Sequence, residues 1–351
     1  MFNAEYSFNT RKSMSSIYLK VRALQNINTL SKHEQLVKGM IDAIDDKLIF
    51  RGDRLPSVNQ MISELGFARE TIVKAYKELI NRGIIESKNR HGYYVLNDAT
   101  EQVVKIALIL YAFDNFQENF YRNFREALGA NVQLDVFFHH NNIEIFESIL
   151  INIQGKYGMH VVAPIPDPKA QLLLNKMAFN KFLMIDRYVP LKGDYSFLVQ
   201  EFEKSSYNIF VELIEEIRKY DEFVFFFKKG TAEPVEILRA FKKFIKNFGL
   251  NGRIAEEYIP GTITKGTLYF TIHNPELYAI IKDAITQGFT LGRDIGLLSH
   301  NDDIVKEIIS GGITTFSTDF GEMGKMAATF VLSRVKIQMV LPMKLLRRGS
   351  L

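Results

Sequence analysis

The stretch from Arg51 to Val95, RGDRLPSVNQMISELGFARETIVKAYKELINRGIIESKNRHGYYV, predicts two short helices followed by a β-hairpin. Residues 55–57, Leu-Pro-Ser, open the first helix, since a first helical turn tolerates proline, and Gly66 ends it. The second helix has apolar residues three and four positions apart on one face and charged residues on the other. Residues 84–85 and 93–95 predict two strands around a basic tip.

Two helices, a tight corner and a basic hairpin are the parts of a winged helix-turn-helix domain. In such a domain the second helix places its N-terminal residues at base edges in the major groove, and the wing lies along phosphates or in the minor groove. The alternative is that the charges are solvated positions of an ordinary small helical domain. The order of the parts favours double-stranded DNA as a partner, and the residues expected to contact it are Ser57, Asn59, Arg69, Glu70, Thr71, Lys74, Arg90, His91 and Gly92.

These motifs resemble the DNA-binding domain of the GntR family of bacterial regulators. The family pattern has a G-D-x-L-P-S opening, an S-R-x-T start of the recognition helix and a G-x-G-(Y/F)-V end of the wing; this chain has residues 52–57, 68–71 and 92–95 at these places. One departure is Ala68, where the family usually has serine. The recognition helix would then lack a side-chain cap, at a cost of roughly 1 kcal/mol.

The composition of the 351-residue chain is that of an ordinary globular protein with two or three domains. The absence of cysteine excludes disulfides, thiolate zinc sites and a cysteine nucleophile. Residues 1–100 hold 15 Lys and Arg against 11 Asp and Glu, so they carry the whole net charge of +4, as a phosphate-contacting domain requires. No signal peptide or spanning apolar run is evident, so we expect a cytoplasmic protein with no membrane partner.

Changes in polarity and in hydrophobic periodicity along the chain predict the domain boundaries. Residues 1–97 form the DNA-binding domain, with its core at 31–96, residues 98–104 form a linker, and residues 105–351 form an effector-binding and dimerisation domain. Residues 1–16 lack periodicity and are expected to be disordered in part. Ser31 and Glu34 predict a capping box that opens the first helix of the winged domain.

Beyond the linker, short apolar runs alternate with amphipathic helical stretches. Buried strands separated by helices predict an α/β fold, a doubly wound parallel sheet, and the number of units predicts two such lobes with a cleft between them. Ligands of open α/β sheets bind outside the carboxyl ends of the strands. The predicted strands are 103–110, 134–138, 159–164, 182–186, 195–199, 222–227, 267–272 and 294–299, and the predicted helices are 117–128, 143–154, 168–179, 204–219, 234–248, 275–287, 302–309 and 320–333.

The C-terminal part resembles the effector domain of the lac- and galactose-repressor family. The resemblance rests on DIGLLSHNDD at 294–303, GGITTFSTDFGEMGKMA at 311–327 and LPMKLLRRGSL at 341–351, and covers about 105–351. It implies the fold of periplasmic sugar-binding proteins, a small sugar effector and a homodimer. The pairing of a GntR-type reader with this sensor is similar to the arabinose repressors of some bacteria.

Candidate ligand contacts follow the predicted strands or match the family motifs. Alternatives remain open for three of them: Asp114 or Asn115 caps a helix, Arg187 pairs with Asp186 at a hinge, and Asp319 caps the helix that follows it. An aromatic residue among amides and carboxylates suits a sugar ring and its hydroxyl groups. The candidates are Phe113, Asp114, Phe116, Gln117, Arg187, Arg239, His273, Asn274, Asn301 and Asp319.

Other residues indicate whether a metal binds and how polar the ligand is. His139 and His140 are adjacent, so their side chains point in opposite directions at a strand end, and a loop or cleft wall is favoured over a metal site. Ile237 and Asn274 stand where the resembled family has an arginine and a carboxylate, which suggests a less polar ligand such as a pentose or deoxyhexose. We predict no cofactor and no metal.

Three classes of function fit parts of the sequence. A transcription regulator, a repressor released by its sugar, is favoured. A phosphorylated sugar or a non-sugar metabolite is the alternative effector. An enzyme with an aminotransferase-like domain needs a longer chain, and the GxSxG, P-loop, GxGxxG and HExxH motifs are absent from the sequence. The predicted DNA-binding domain argues against the third function, that of a periplasmic-type binding module.

Overall fold

The computed structural model describes residues 2–25, 27, 30–81, 84–89, 91–96, 104–130, 132–154, 156–228, 230–231 and 233–351. The chain divides into two compact units, one made of residues 1–105 with 150–158 and the other of residues 106–149 with 159–351. No helix among the described residues is long and apolar enough to cross a membrane.

The first unit contains the predicted winged helix-turn-helix. Four helices precede an antiparallel hairpin whose register pairs Ile85 with Val95 and Lys88 with Gly92. The apolar faces of the helices and the hairpin share one buried core. The elements are α1 (Phe2–Gln25), α2 (Lys32–Asp45), α3 (Val58–Leu65), α4 (Arg69–Asn81), β1 (Ile85–Lys88) and β2 (Gly92–Val95).

Helix α1 corrects the expectation for the first 16 residues, because the helix begins at Phe2. Ile17 and Val21 are fully buried in the core of this unit. The approach to α2 is close, since a Cβ atom built on Gly39 would lie 2.5 Å from Cγ2 of Val21. Packing against the other helices stabilises a segment whose own periodicity is weak.

Side-chain caps begin two of these helices. The predicted capping box is confirmed at Ser31 and Glu34, and a second one joins Ser57 to Gln60 at the start of α3. At the start of α4 the backbone oxygen of Ala68 accepts a hydrogen bond from the Ile72 amide at 3.2 Å. A methyl side chain at Ala68 has no oxygen with which to cap this helix.

Ala68→Ser is therefore expected to stabilise the first unit by about 1 kcal/mol, because the serine hydroxyl can accept from the amides of the first turn. The measurement is urea unfolding followed by circular dichroism. Ser57→Ala is the reciprocal variant, which removes an existing cap and should destabilise by a similar amount. Equal unfolding midpoints for wild type and Ala68→Ser would contradict the assignment.

The second unit is built from two six-stranded sheets. The first has the strand order β13-β7-β6-β5-β3-β4 and the second β14-β12-β11-β10-β8-β9. The recorded pairings are parallel except that between β12 and β14. The strands are β3 (Val104–Leu110), β4 (Val132–Phe138), β5 (Met159–Val162), β6 (Phe182–Asp186), β7 (Ser196–Gln200), β8 (Glu222–Phe226), β9 (Gly252–Ala255), β10 (Thr267–Thr271), β11 (Gly296–His300), β12 (Thr314–Ser317), β13 (Gln338–Leu341) and β14 (Lys344–Leu346).

Helices connect the strands of both sheets. They are α5 (Asn115–Leu128), α6 (Ile143–Ile153), α7 (Pro168–Leu174), α8 (Glu203–Glu212), α9 (Ile214–Ile217), α10 (Val235–Phe248), α11 (Asn274–Gln287), α12 (Ile304–Ile308) and α13 (Phe320–Ser333). The chain leaves the first sheet after β7, returns to it through α13 and β13, and ends in the second sheet with β14. The predicted two-lobed, doubly wound α/β architecture is confirmed. The sequence analysis missed β9, β12, β13 and β14.

Candidate functional site

The candidate DNA surface of the first unit centres on the start of α4. Asn59, Arg69, Glu70 and Lys74 are exposed, and Thr71 is half-buried. Nη1 of Arg69 donates to Oδ1 of Asn59 at 3.2 Å, which ties the first residue of α4 to α3. Two polar side chains from neighbouring helices are thus held together at the end that a recognition helix presents to bases.

A buried contact holds the two helices in register. The hydroxyl of Tyr76, on α4, donates to the backbone oxygen of Pro56, just before α3. The Tyr76 ring also packs edge-on against Tyr93 of the wing, with 4.4 Å between the centroids. Ser57 is exposed, but its hydroxyl is engaged in capping α3, where it accepts from the Gln60 amide at 3.3 Å.

The wing carries a cation at its first strand. Nζ of Lys88 lies 4.8 Å from the centre of the Tyr94 ring and 3.0 Å from Oε1 of Glu86. His91 is exposed, and Gly92 has a φ of +102°, a conformation that favours glycine. Arg90, the remaining predicted DNA contact, lies outside the described residues.

The candidate ligand site is a cavity of about 350 Å³ in the second unit. Its lining comes from loops at the carboxyl ends of strands in both sheets, where ligands of open α/β sheets bind. Aromatic side chains stand among amides, imidazoles and charged groups. The lining includes Tyr111, Asp114, Phe116, Gln117, His139, Asp186, Arg187, Gln200, Phe202, Glu233, His273, Asn274, His300, Asn301, Asp303 and Lys306.

Several of these strand ends have left-handed backbone conformations. Asn141 after β4, Asp186 at the end of β6 and Asn301 after β11 have φ values of +57°, +66° and +60°. Asparagine and aspartate adopt this region more readily than other non-glycine residues. All three residues line the cavity, and such conformations cluster at ligand sites.

In the first lobe, Asp186 and Arg187 form separate contacts. The Gln200 side-chain amide donates to Oδ1 of Asp186, while burial raises the pKa of that carboxyl group. The Arg187 guanidinium lies 4.9 Å from the centre of the Phe202 ring and 3.8 Å from Oε2 of Glu236. The Arg187 guanidinium thus lies over an aromatic side chain of the lining, within the range of a cation–π contact.

In the second lobe, His273 pairs with Glu233. Nε2 of His273 lies 2.8 Å from Oε1 of Glu233, whose other oxygen accepts from the Lys228 amide at 2.7 Å. The Glu233 hydrogen bond raises the pKa of His273, and the charges of Glu233, Glu276 and Asp114 add to the effect. The Glu233 carboxylate is buried, so it requires this partner.

The pairing predicts a pH-dependent stability. Because the pKa of His273 is raised above its unfolded value, its contribution is complete below about pH 6.5 and is lost as the pH rises through the folded pKa. His273→Gln keeps an N–H donor for Glu233 but cannot be protonated. The difference in unfolding free energy between wild type and His273→Gln should therefore be larger at pH 6 than at pH 9. Urea unfolding at the two pH values measures it. A difference independent of pH would contradict the pairing.

His139 and Lys306 are further buried ionisable side chains of the lining. Nε2 of His139 lies 3.1 Å from the Ala163 oxygen, and Nδ1 accepts from the Asn141 amide at 3.1 Å. Burial lowers the pKa of His139 to about 4 and that of Lys306 to about 8. Nζ of Lys306 donates to the backbone oxygens of His300 and Asn301 at 2.8 and 2.7 Å, which fixes the end of β11.

Seven of the ten predicted ligand residues line this cavity: Asp114, Phe116, Gln117, Arg187, His273, Asn274 and Asn301. Asp114 stands at the N-cap position of α5, but its side chain makes no cap hydrogen bond. The side-chain oxygen of Gln117 accepts a hydrogen bond from the amide of Ala112, which precedes the helix, at 3.0 Å.

The other three lie outside the described lining. Phe113 packs edge-on against Tyr121 and Phe138. Arg239 donates to Oε2 of Glu203 at 2.7 Å on an exposed face of α10, and Asp319 caps α13 by accepting from the Glu322 amide. Asp319 thus caps the helix that follows it, which is the alternative that the sequence left open for this residue.

Sequence reasoning did not select Gln200, Glu233, His300 or Lys306. Each follows a strand whose end was identified, so the positional rule could have included them. No motif singles them out, because their importance depends on burial and on partners from other strands.

Comparison with known proteins agrees with both parts of the chain. Residues 32–95 match the model of the family described as bacterial regulatory proteins, gntR family. The HTH-type transcriptional regulator Rv1152 of Mycobacterium tuberculosis is 34% identical over 62 residues, which is 18% of this chain and 51% of that protein. The chain spans about half the length of the curated relatives it matches.

Solved structures match the second part of the chain. A LacI family transcriptional regulator from Lactobacillus casei with bound glucose has a TM-score of 0.59 at 14% identity, over 70% of this chain and 99% of that one. A LacI family regulator from Enterococcus faecium with bound ribose has a TM-score of 0.56 at 13% identity, over 70% and 98%. These likenesses show that the chain shares the fold of these solved domains.

Proposed function

We propose that this protein is a transcription regulator that binds double-stranded operator DNA through its winged domain and senses a small sugar in the cavity. One observation carries the proposal: a GntR-type helix-turn-helix and a two-lobed α/β domain with a cavity at its strand ends occur in one chain. The solved relatives with glucose and ribose have the same fold and support a sugar as effector.

The charges of the lining favour a neutral ligand. The cationic groups of Arg187, His273 and Lys306 are each engaged by groups of the protein, and the carboxyl groups of Asp114, Asp186, Glu233 and Asp303 also line the cavity. A phosphorylated sugar would add two negative charges near these carboxylates, a costly arrangement in a partly buried site. A neutral pentose or deoxyhexose is therefore preferred over the phosphorylated alternative.

Regulation requires that the ligand bind one state of the protein more tightly than the other. We propose a repressor that releases DNA when the sugar binds, acting as a homodimer because helix-turn-helix operators are commonly palindromic. The DNA contacts proposed are the exposed residues of α3, α4 and the wing tip, and the linker at 98–104 separates the two functions. We propose no catalytic step.

Arg187 and Arg239 provide a matched test of the ligand site. Arg187→Ala should weaken sugar binding at least 10-fold, since Arg187 lines the cavity against Phe202, whereas Arg239→Ala should leave it unchanged. Isothermal titration of each variant with D-glucose, D-ribose, L-arabinose and L-fucose measures this. Equal losses in both variants, or none in Arg187→Ala, would place the ligand elsewhere.

A further inference from the structure

Buried polar atoms without partners mark a specific part of the cavity. Among the described residues, neither ring nitrogen of His300 has a hydrogen-bond partner, and the same holds for Oε1 of Gln200 and Oδ1 of Asn301. His300 is 2% exposed and Gln200 7%. All three residues line the cavity. Buried polar groups are nearly always paired in native proteins, so a cluster of exceptions needs an explanation.

The surroundings of His300 determine what it can offer. Its ring lies 5.3 Å from that of Phe316 and 6.2 Å from that of Phe202, measured between centroids. Burial and the neighbouring Lys306 ammonium lower the pKa of His300 to about 3. A neutral imidazole has one N–H donor and one acceptor nitrogen. His300 therefore offers one of each, and the same lining holds two amide oxygens that accept.

We propose that His300, with the amide oxygens of Gln200 and Asn301, is a specificity-determining group that binds adjacent hydroxyl groups of a neutral polyhydroxyl ligand. A hydroxyl group both donates and accepts, so one or two of them satisfy His300, while further hydroxyl hydrogens satisfy the amide oxygens. The Phe202 ring lies 6.2 Å from the His300 ring and makes this part of the lining partly apolar, which suits the C–H groups of the same ligand. This inference rests on the proposed function and deepens it.

The comparison with His139 supports a role in binding over one in folding. Both histidines are buried and line the same cavity. Both nitrogens of His139 are engaged by backbone groups of its own lobe. An imidazole that stabilises the fold has hydrogen-bond partners within the protein. The ring nitrogens of His300 have none within the described part of the chain and can bond to a molecule that enters the cavity.

The first measurement is the melting temperature of the ligand-free full chain. His300→Phe should leave it unchanged or raise it by a few degrees, because the variant removes unpaired buried atoms. His139→Phe should lower it, because the variant breaks two contacts. A drop for His300→Phe as large as that for His139→Phe would overturn the proposal, since His300 would then serve the fold.

The second measurement is isothermal titration with the best-binding sugar of D-glucose, D-ribose, L-arabinose and L-fucose. His300→Phe should weaken binding about 10- to 100-fold, and His300→Gln, which keeps a donor and an acceptor, should recover part of the loss. The monodeoxy sugar that lacks the contacted hydroxyl should bind wild type and His300→Phe equally.

The outcomes separate this proposal from the broader one. If wild type binds a sugar and His300→Phe binds it as tightly, His300 has no role in recognition although the sugar-sensing function stands. If wild type binds none of the sugars, the sugar-sensing function and the role of His300 are both overturned. If every monodeoxy sugar loses affinity equally for both proteins, the His300–hydroxyl contact is absent.

Discussion

Arg69→Ala is expected to weaken binding of the full chain to its operator about 5- to 150-fold, the loss for one well-placed arginine at a base edge. Arg69 is the first residue of α4, the position from which a recognition helix reaches bases. Its guanidinium is exposed and is oriented by Asn59 at 3.2 Å. Because this contact holds the side chain in place, Asn59→Ala should weaken binding by less than Arg69→Ala does.

The control for lost charge is Arg218→Ala in the second unit. Arg218 is exposed and pairs with the exposed Glu215, three residues before it on the chain, so its removal changes the net charge without touching the winged domain. Fluorescence anisotropy on labelled upstream DNA measures all three variants at one fixed salt concentration, because phosphate contacts depend on salt. Equal affinities of Arg69→Ala and Arg218→Ala would remove α4 from the interface.

Among the variants proposed here to test stability, Gly324→Ala is expected to lower the free energy of unfolding the most. Gly324 lies where α13 packs against α5, and a Cβ atom there would meet the backbone oxygen of Phe120 at 2.5 Å and the amide nitrogen of Phe124 at 3.0 Å. Backbone atoms of a packed helix cannot yield as a side chain can. Overpacking costs about 1–3 kcal/mol or more, which outweighs the gain of about 1 kcal/mol that alanine has over glycine in a helix.

Gly321→Ala is the matched control, one helical turn earlier in α13. Its Cβ would come nearest to Nδ2 of Asn123, at 3.1 Å, which is the end of a side chain and not part of the backbone. This variant should melt close to wild type in differential scanning calorimetry, while Gly324→Ala should melt several degrees lower. Equal melting temperatures for both variants would show that α5 and α13 pack less closely than described.

Predicting the fold from sequence succeeded where hydrophobic patterns are strong. The eight predicted strands of the second unit are apolar runs such as EFVFFF at 222–227, and parallel buried strands produce such runs. Strand β12, Thr314–Ser317, escaped prediction because three of its four residues are polar, although all four are buried. Strand β9, Gly252–Ala255, is largely exposed and gives no apolar run. Only pairing with neighbouring strands identifies both.

Residues that line the cavity were predicted by position more than by residue type. The rule that ligands bind after parallel strands led to Asp114 and Asn301, which line the cavity. It could not separate Arg187, which faces the cavity, from Arg239, which pairs with Glu203 on an exposed helix face. It also gave no weight to His300, whose interest arises from unpaired nitrogens in a buried place. Such a property depends on every neighbouring side chain.

Fluorescence anisotropy of the full chain on its labelled upstream DNA, titrated with the sugar that calorimetry identifies, tests directly whether the sugar controls DNA binding. We expect tight binding without sugar and release at micromolar to millimolar sugar. The Arg187→Ala variant should remain bound to DNA at the same sugar concentration. Failure to bind this DNA at low salt, where phosphate contacts are strongest, would contradict the DNA-binding assignment. Binding that no sugar alters would contradict the coupling between the cavity and the DNA reader.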